Sequence, residues 1–156
     1  MSQYRIEILG KQDRAAFASG SSELDAYLRT RASQDMRRRV ASCFVAVDDA
    51  GTVAGFYTLA ATSLVLDLLI ADHAKRLPRY PAVPAILLGR LAVDAGHQGK
   101  RLGGALLADA LMRASRSEVM AYAMVVDAKD AAAAHFYAHL GFERLGDDKR
   151  RLIRRL

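Results

Sequence analysis

The residues His97-Gln-Gly-Lys-Arg-Leu-Gly-Gly104 set glycines and two cations directly ahead of an apolar helical pattern. Backbone N–H groups at the start of a helix have no intrahelical acceptor and lie at the positive end of its dipole, so such a segment can cradle phosphate. Glycines let the backbone approach an anion closely, and Lys100 and Arg101 add charge. The spacing matches neither the Walker A loop, which ends in GK[ST], nor the dinucleotide GxGxxG. On the residues alone two readings stay open, a phosphate loop or an ordinary strand-to-helix connection. Arg101 stands where a third glycine would fit more easily. It is compatible with a phosphate loop if its backbone is already helical, with negative φ and the side chain directed outward.

Other residue types offer less chemistry. His135 and His139 form an i, i+4 pair that could hold zinc, but no adjacent glutamate or third ligand accompanies them, so no metal is expected. His73 and His97 carry no signal. The single cysteine, Cys43, lies in the apolar run "ASCFVAVDD", reads as a small buried hydrophobe, and rules out an internal disulfide, as suits a reducing cytoplasm. The formal net charge of +6 favours an anionic partner. The cations cluster in "RTRASQDMRRR" and again in "KRRLIRRL" at the end of the chain. Two such clusters on a small protein point towards a polyanion, beside the plainer reading of two solvated faces.

The elements that must position these residues follow from periodicity. With 156 residues, 52% of them hydrophobic, the chain predicts one α/β domain over residues 1–156. No apolar run approaches a membrane span, and the start lacks the apolar core of a signal peptide. "YRIEI" alternates as a strand. "SELDAYLRTRASQDMRRRV" predicts one amphipathic helix opened by a Ser22–Asp25 capping box. "ASCFVAVDDAGTVAGFYTL" predicts a hairpin turning at Asp49-Ala-Gly51, with Gly55 marking a bulge or a close backbone approach. "LIADHAKRL" suggests a short helix and "PRYPAVP" a rigid link. "AILLGRLAVD" predicts a central strand buried on both faces. After the glycine loop comes a helix whose wet stripe is Asp109, Arg113 and Arg116. A strand "AYAMVVDA", a helix "KDAAAAHFYAHLGF" capped by Gly141 and a closing hairpin complete the chain.

"RLAVDAGHQGKRLGGALL" followed by "AAAAHFYAHLGFERL" resembles the GCN5-related N-acetyltransferase (GNAT) family, whose signature [QR]-x-x-G-x-[GA] would fall on Gln98 to Gly103. An ordered set of further matches covers most of the chain: Leu24-Asp25-Ala26-Tyr27-Leu28, Val53 to Leu59, Leu88 to Asp94 and Phe136 to Phe142. It resembles the acetyltransferase toxins of bacterial toxin–antitoxin pairs, which act on aminoacyl-tRNA. The resemblance implies a mixed, mostly antiparallel sheet, splayed at the acetyl-CoA site and flanked by helices. It implies that Leu91, Ala92 and Val93 pair with pantetheine, the Val93 N–H polarising the thioester carbonyl. Gln98, Gly99, Lys100, Arg101, Leu102, Gly103 and Gly104 would hold the pyrophosphate, with Phe136 also at the cofactor.

The resemblance further implies that Tyr137 protonates the departing CoA sulfur. Helical pattern alone leaves it an aromatic packing residue beside Phe136 and Leu140. The acceptor would be the α-amine of aminoacyl-tRNA, whose pKa of roughly 7.7–8.0 leaves a fair fraction neutral near pH 7 without a strong base. Arg90 would face the acceptor end, and Arg76, Arg79, Arg37, Arg38 and Arg39 would contact phosphates. Expected partners are an antitoxin with a ribbon-helix-helix part and a second copy of the chain; no membrane partner is expected. Two alternatives are an acetyltransferase of a small amine or protein N-terminus, and a non-catalytic nucleic-acid-binding module of this fold.

Overall fold

A computed structural model describes residues 3–65, 73, 75, 77, 80–146 and 150–156. Among them, seven strands form one sheet in the order β1-β2-β3-β4-β5-β7-β6. The strands are β1 (Arg5–Ile8), β2 (Ser42–Val47), β3 (Val53–Val65), β4 (Ala82–Val93), β5 (Ala123–Asp127), β6 (Glu143–Arg144) and β7 (Arg151–Arg155). The helices are α1 (Ser22–Thr30), α2 (Ala32–Arg37), α3 (Leu102–Ser115) and α4 (Ala131–His139). The registered pairs are antiparallel except β4 with β5, which is parallel. This is the mixed, mostly antiparallel α/β architecture expected of the sequence.

The chain divides into two compact units, Met1–Ala60 with Gly89–Met112, and Ala61–Leu88 with Arg113–Leu156. The first has a core of Phe17, Leu28, Val45, Val53, Phe56 and Ala92, with Leu9 and Cys43 among its further members. The second is built on Leu64, Val83, Ala85, Ala123, Val125, Leu145 and Ile153.

In the first unit the expected amphipathic helix is interrupted. Thr30 Oγ1 donates to Ala26 O at 2.6 Å, a side-chain bond that competes with helical continuation, and Arg31 turns out to φ −116° between α1 and α2. The cap also lies one residue earlier than the sequence suggests. Ser21, not Ser22, accepts from Leu24 N, because Asp25 is already taken by Ser19, whose N and Oγ donate to it at 2.9 and 2.6 Å. The β2–β3 turn is closed by Asp48 Oδ1, which accepts from Ala50 N and Thr52 N, with Gly51 at φ +81°.

Gly55 serves both functions expected of it. The register shifts between Ala46, opposite Gly55, and Val47, opposite Val53, leaving Ala54 bulged. A Cβ on Gly55 would lie 3.1 Å from Ala92 O and 2.9 Å from Leu106 Cδ1. The bulged Ala54 O accepts from Asp94 N at 2.8 Å, so the bulge fixes the point where β4 ends.

β4 begins at Ala82, so the segment read as a proline link is strand from there on, including Pro84. Proline lacks the donor but keeps the acceptor, and Pro84 O takes Tyr122 N at 2.8 Å. Burial along β4 is also less complete than predicted, since Val83, Ala85, Leu88 and Ala92 are buried whereas Gly89 is exposed. The short helix expected over "LIADHAKRL" falls largely outside the described residues. The parallel ladder pairs Ala85–Leu88 with Ala123–Val126, and β4 continues from Gly89 to Val93 beyond the last registered pair. That is where the sequence resemblance expects the splay.

Candidate acetyl-CoA and acyl-transfer site

In the first unit, the residues around the glycine loop are tied to the segment ahead of α1. Asp94 Oδ1 accepts from Ala18 N and its Oδ2 from Gly96 N, both at 2.9 Å. Ala95 N donates to Ala18 O at 2.8 Å. Gln98 Nε2 donates to Ser19 O and to Val93 O, each at 3.2 Å, so its side chain braces the end of the strand expected to pair with pantetheine. A 3₁₀ turn, Ala95–His97, joins these residues, and His97 Nδ1 meets Tyr4 OH at 2.7 Å.

α3 then starts at Leu102, its first bond running from Ala105 N to Arg101 O at 3.2 Å. The N–H groups of Arg101, Leu102, Gly103 and Gly104 consequently have no intrahelical acceptor. Leu102 anchors this turn in the core at 3% exposure, while Gly99, Lys100 and Arg101 are exposed. A Cβ on Gly104 would meet nothing within 4 Å. Open backbone donors, flanking cations and a bare first turn fit a pyrophosphate.

The expectation that Arg101 is helical with negative φ is corrected: its φ is +62°, in the left-handed region, although its side chain does face outward. Gly99 is also left-handed, at φ +79°. Arg101 thus keeps the backbone conformation that glycine would supply, at a cost of about 1–2 kcal/mol for a residue with a Cβ.

Four of the six expected substrate cations lie among the described residues. Arg90 is half-buried, its guanidinium carbon 3.6 Å from the centroid of the Tyr27 ring. Tyr27 OH donates to Asp35 at 2.7 Å, and burial followed by that bond holds its phenol far above the usual range. Arg37, Arg38 and Arg39 are exposed around the end of α2, with Arg39 at φ +62°. Arg76 and Arg79 lie outside the described residues. Asp109, read as part of a wet stripe, accepts instead from the fully buried Tyr57 hydroxyl at 2.6 Å.

In the second unit, α4 is capped by Asp130, which accepts from Ala133 N at 2.7 Å. It ends in a Schellman motif: Phe142 N donates to Tyr137 O and Gly141 N to Ala138 O, both at 3.1 Å, with Gly141 at φ +93°. The motif's apolar contact is aromatic, since the Phe142 and Tyr137 rings lie 5.6 Å apart at 61°. The Phe136 ring also packs on Tyr137, with centroids 5.3 Å apart at 65°. Burial pushes the Tyr137 phenol up to about 12, so it stays protonated throughout the neutral range. Both readings of this residue therefore describe one side chain, an aromatic packed by its neighbours whose environment keeps the hydroxyl proton in place.

Sequence reasoning passed over His73. It is buried, meets Tyr122 OH through Nδ1, and bonds Glu143 through Nε2 at 2.5 Å. Nothing adjacent to it in the chain signals those partners. His135 and His139 are exposed on α4.

A strand end running into an exposed glycine loop and the bare first turn of a helix fits the cofactor side of an acyl-CoA-dependent transferase of the GNAT class. Residues 39–144 match the acetyltransferase (GNAT) domain family, and the chain belongs to it. It is 41% identical over 135 residues to the tRNA-acetylating toxin of Mycobacterium tuberculosis, covering 84% of this chain and 78% of that protein. Among solved structures, it is similar to AtaT complexed with acetyl-methionyl-tRNAfMet, with TM-score 0.89 and 27% identity over 97% of this chain and 94% of that one. It is also similar to AtaTR bound with AcCoA, with TM-score 0.82 and 26% identity over 99% and 95% of the two chains.

Proposed function

We propose that residues 1–156 act as one acetyltransferase domain that acetylates the α-amino group of aminoacyl-tRNA and so blocks translation as a toxin. The observation that carries this reading is the 41% identity, over most of both chains, to a tRNA-acetylating toxin. The likeness to AtaT holding an acetylated aminoacyl-tRNA supports it.

Acetyl-CoA supplies the acetyl group as a thioester. The backbone of Leu91–Val93 would hold its pantetheine arm, and the amides from Gly99 to Gly104 its pyrophosphate. The Val93 N–H would stabilise charge developing on the carbonyl oxygen. Tyr137, protonated across the working pH range, would give its proton to the departing sulfur. The chain needs no strong base, because an α-amine of pKa about 8 is partly neutral at pH 7.

Partners under this reading are an antitoxin, which we place in the ribbon-helix-helix class, and a second copy of the chain. Of the cations, Arg37, Arg38 and Arg39 are presented for phosphate contacts, which would position the RNA without reading its sequence. Arg90 would act through its stack on Tyr27.

Incubating the protein with radiolabelled acetyl-CoA and total charged tRNA, beside the Tyr137→Phe variant, tests the proposal. Label in the aminoacyl-tRNA fraction that falls sharply in the variant supports it. Label confined to small amines sinks it, and tRNA binding without transfer would indicate a non-catalytic module.

A further inference from the structure

We propose that Arg154 is a positioning residue for Tyr137, acting as the cationic cap of α4; this rests on the proton-donor reading of Tyr137. In the sequence Arg154 belongs to the terminal cluster "KRRLIRRL", which suggests a polyanion contact. The register of β7 gives its arginines different duties. Arg151 forms a two-pronged bond with Asp127, Nε to Oδ1 at 2.8 Å and Nη2 to Oδ2 at 2.9 Å. Arg154, paired opposite Met124 on β5, reaches the end of α4 and donates from Nη1 to Leu140 O at 3.1 Å.

That carbonyl belongs to the last residues of a helix, where C=O groups lack intrahelical donors and the dipole is negative. The Schellman bonds satisfy Tyr137 O and Ala138 O, and Arg154 supplies the donor for Leu140 O. The same guanidinium lies over Gly141, since a Cβ there would be 3.4 Å from Arg154 Nε and 3.6 Å from Cδ and Cζ. The residue that makes the reversal of chain direction is therefore covered by the side chain that caps the helix. Phe142, immediately after it, is the ring that packs on Tyr137. A rigid guanidinium against Gly141 thus fixes the ring that orients the phenol, so releasing Arg154 loosens Tyr137 without touching the phosphate loop.

Steady-state acetylation of purified aminoacyl-tRNA tests this with Arg154→Ala, Arg154→Lys and Tyr137→Phe. Arg154→Ala is expected to lower kcat about three- to five-fold, as loss of a cation at a helix C-terminus would allow. KM for acetyl-CoA should be unchanged, as should tRNA affinity and its salt slope. Arg154→Lys, which keeps the charge and a donor, should recover most of kcat. An Arg154→Ala variant with unchanged kcat, or one whose defect lies in tRNA affinity with a shallower salt slope, overturns the inference. In both cases a large loss in Tyr137→Phe leaves the proton-donor reading standing. If Tyr137→Phe keeps full kcat, that reading and this inference fall together.

Discussion

The two candidate catalytic regions are built on opposite principles. Asp94–Gly104 is exposed for much of its length and is held by many polar bonds to a segment far away in the chain. Tyr137 is held by aromatic packing and one helix cap, and among the described residues no hydrogen bond reaches its hydroxyl. A phosphate-binding loop must offer backbone donors outward, so its own shape has to be secured from behind. A proton donor must keep its proton, and burial without an acceptor achieves that. The difference teaches that shape is secured by redundancy in one region and protonation by desolvation in the other.

The most severe way to break this contrast is Tyr137→Phe. Loss of general acid catalysis predicts a fall in kcat of about 10²–10⁴-fold, with acetyl-CoA affinity preserved. In the wild type, kcat should show no alkaline limb from the phenol through pH 10, because burial pushes it up to about 12. A limb at 10 would mean that the phenol is solvated. Stability follows the same sign. A phenol raised above its unfolded value contributes fully below pH 10 and loses that contribution as pH rises towards 12.

Gly55→Ala tests the loop region from beneath. Its Cβ would press on Ala92 O and on Leu106, so a destabilisation of about 1–3 kcal/mol is expected in urea denaturation. Acetyl-CoA binding should weaken as well, because Ala92 lies on the strand proposed to pair with pantetheine. A fully stable variant would show that the approach at Gly55 is slack.

Asp94→Ala removes two side-chain acceptors from backbone donors and should cost about 1–2 kcal/mol. If the bonds are redundant, the loop keeps its shape through Gln98 and the Ala95–Ala18 bond, and acetyl-CoA affinity falls only a few-fold by calorimetry. The smallest effect should be Arg101→Gly, which relieves the left-handed backbone but adds chain entropy to the unfolded state, so stability rises by a net of about 0.5–1 kcal/mol. A decrease in thermal midpoint would show that the Arg101 side chain stabilises the loop.

Much of this was legible in the sequence because it is local. The hairpin at Asp49–Gly51, the closing strands and the Gly141 cap each follow from residues a few positions apart. The family was legible from the order of neighbouring motifs more than from the loop's glycines. What escaped joins distant residues: Asp94 to Ala18 across 76 positions, and Gln98 to Ser19 across 79. Helical periodicity assigned Asp109 to water because it counts faces and cannot register a tyrosine on another strand. Arg101 was misjudged for a related reason, since steric preference predicts the comfortable φ and the surrounding loop imposes another.

Cys43 has a practical consequence. It is 1% exposed in the centre of the first unit's core, and burial pushes its thiol up to about 12. A thiol in that state does not react with alkylating reagents while β2 remains paired with β1 and β3. Because it is the chain's only cysteine, the rate at which it becomes labelled is a clock for opening of that core. The wild-type protein therefore carries its own probe, through which the effect of a bound ligand on opening can be read without introducing a label or a mutation.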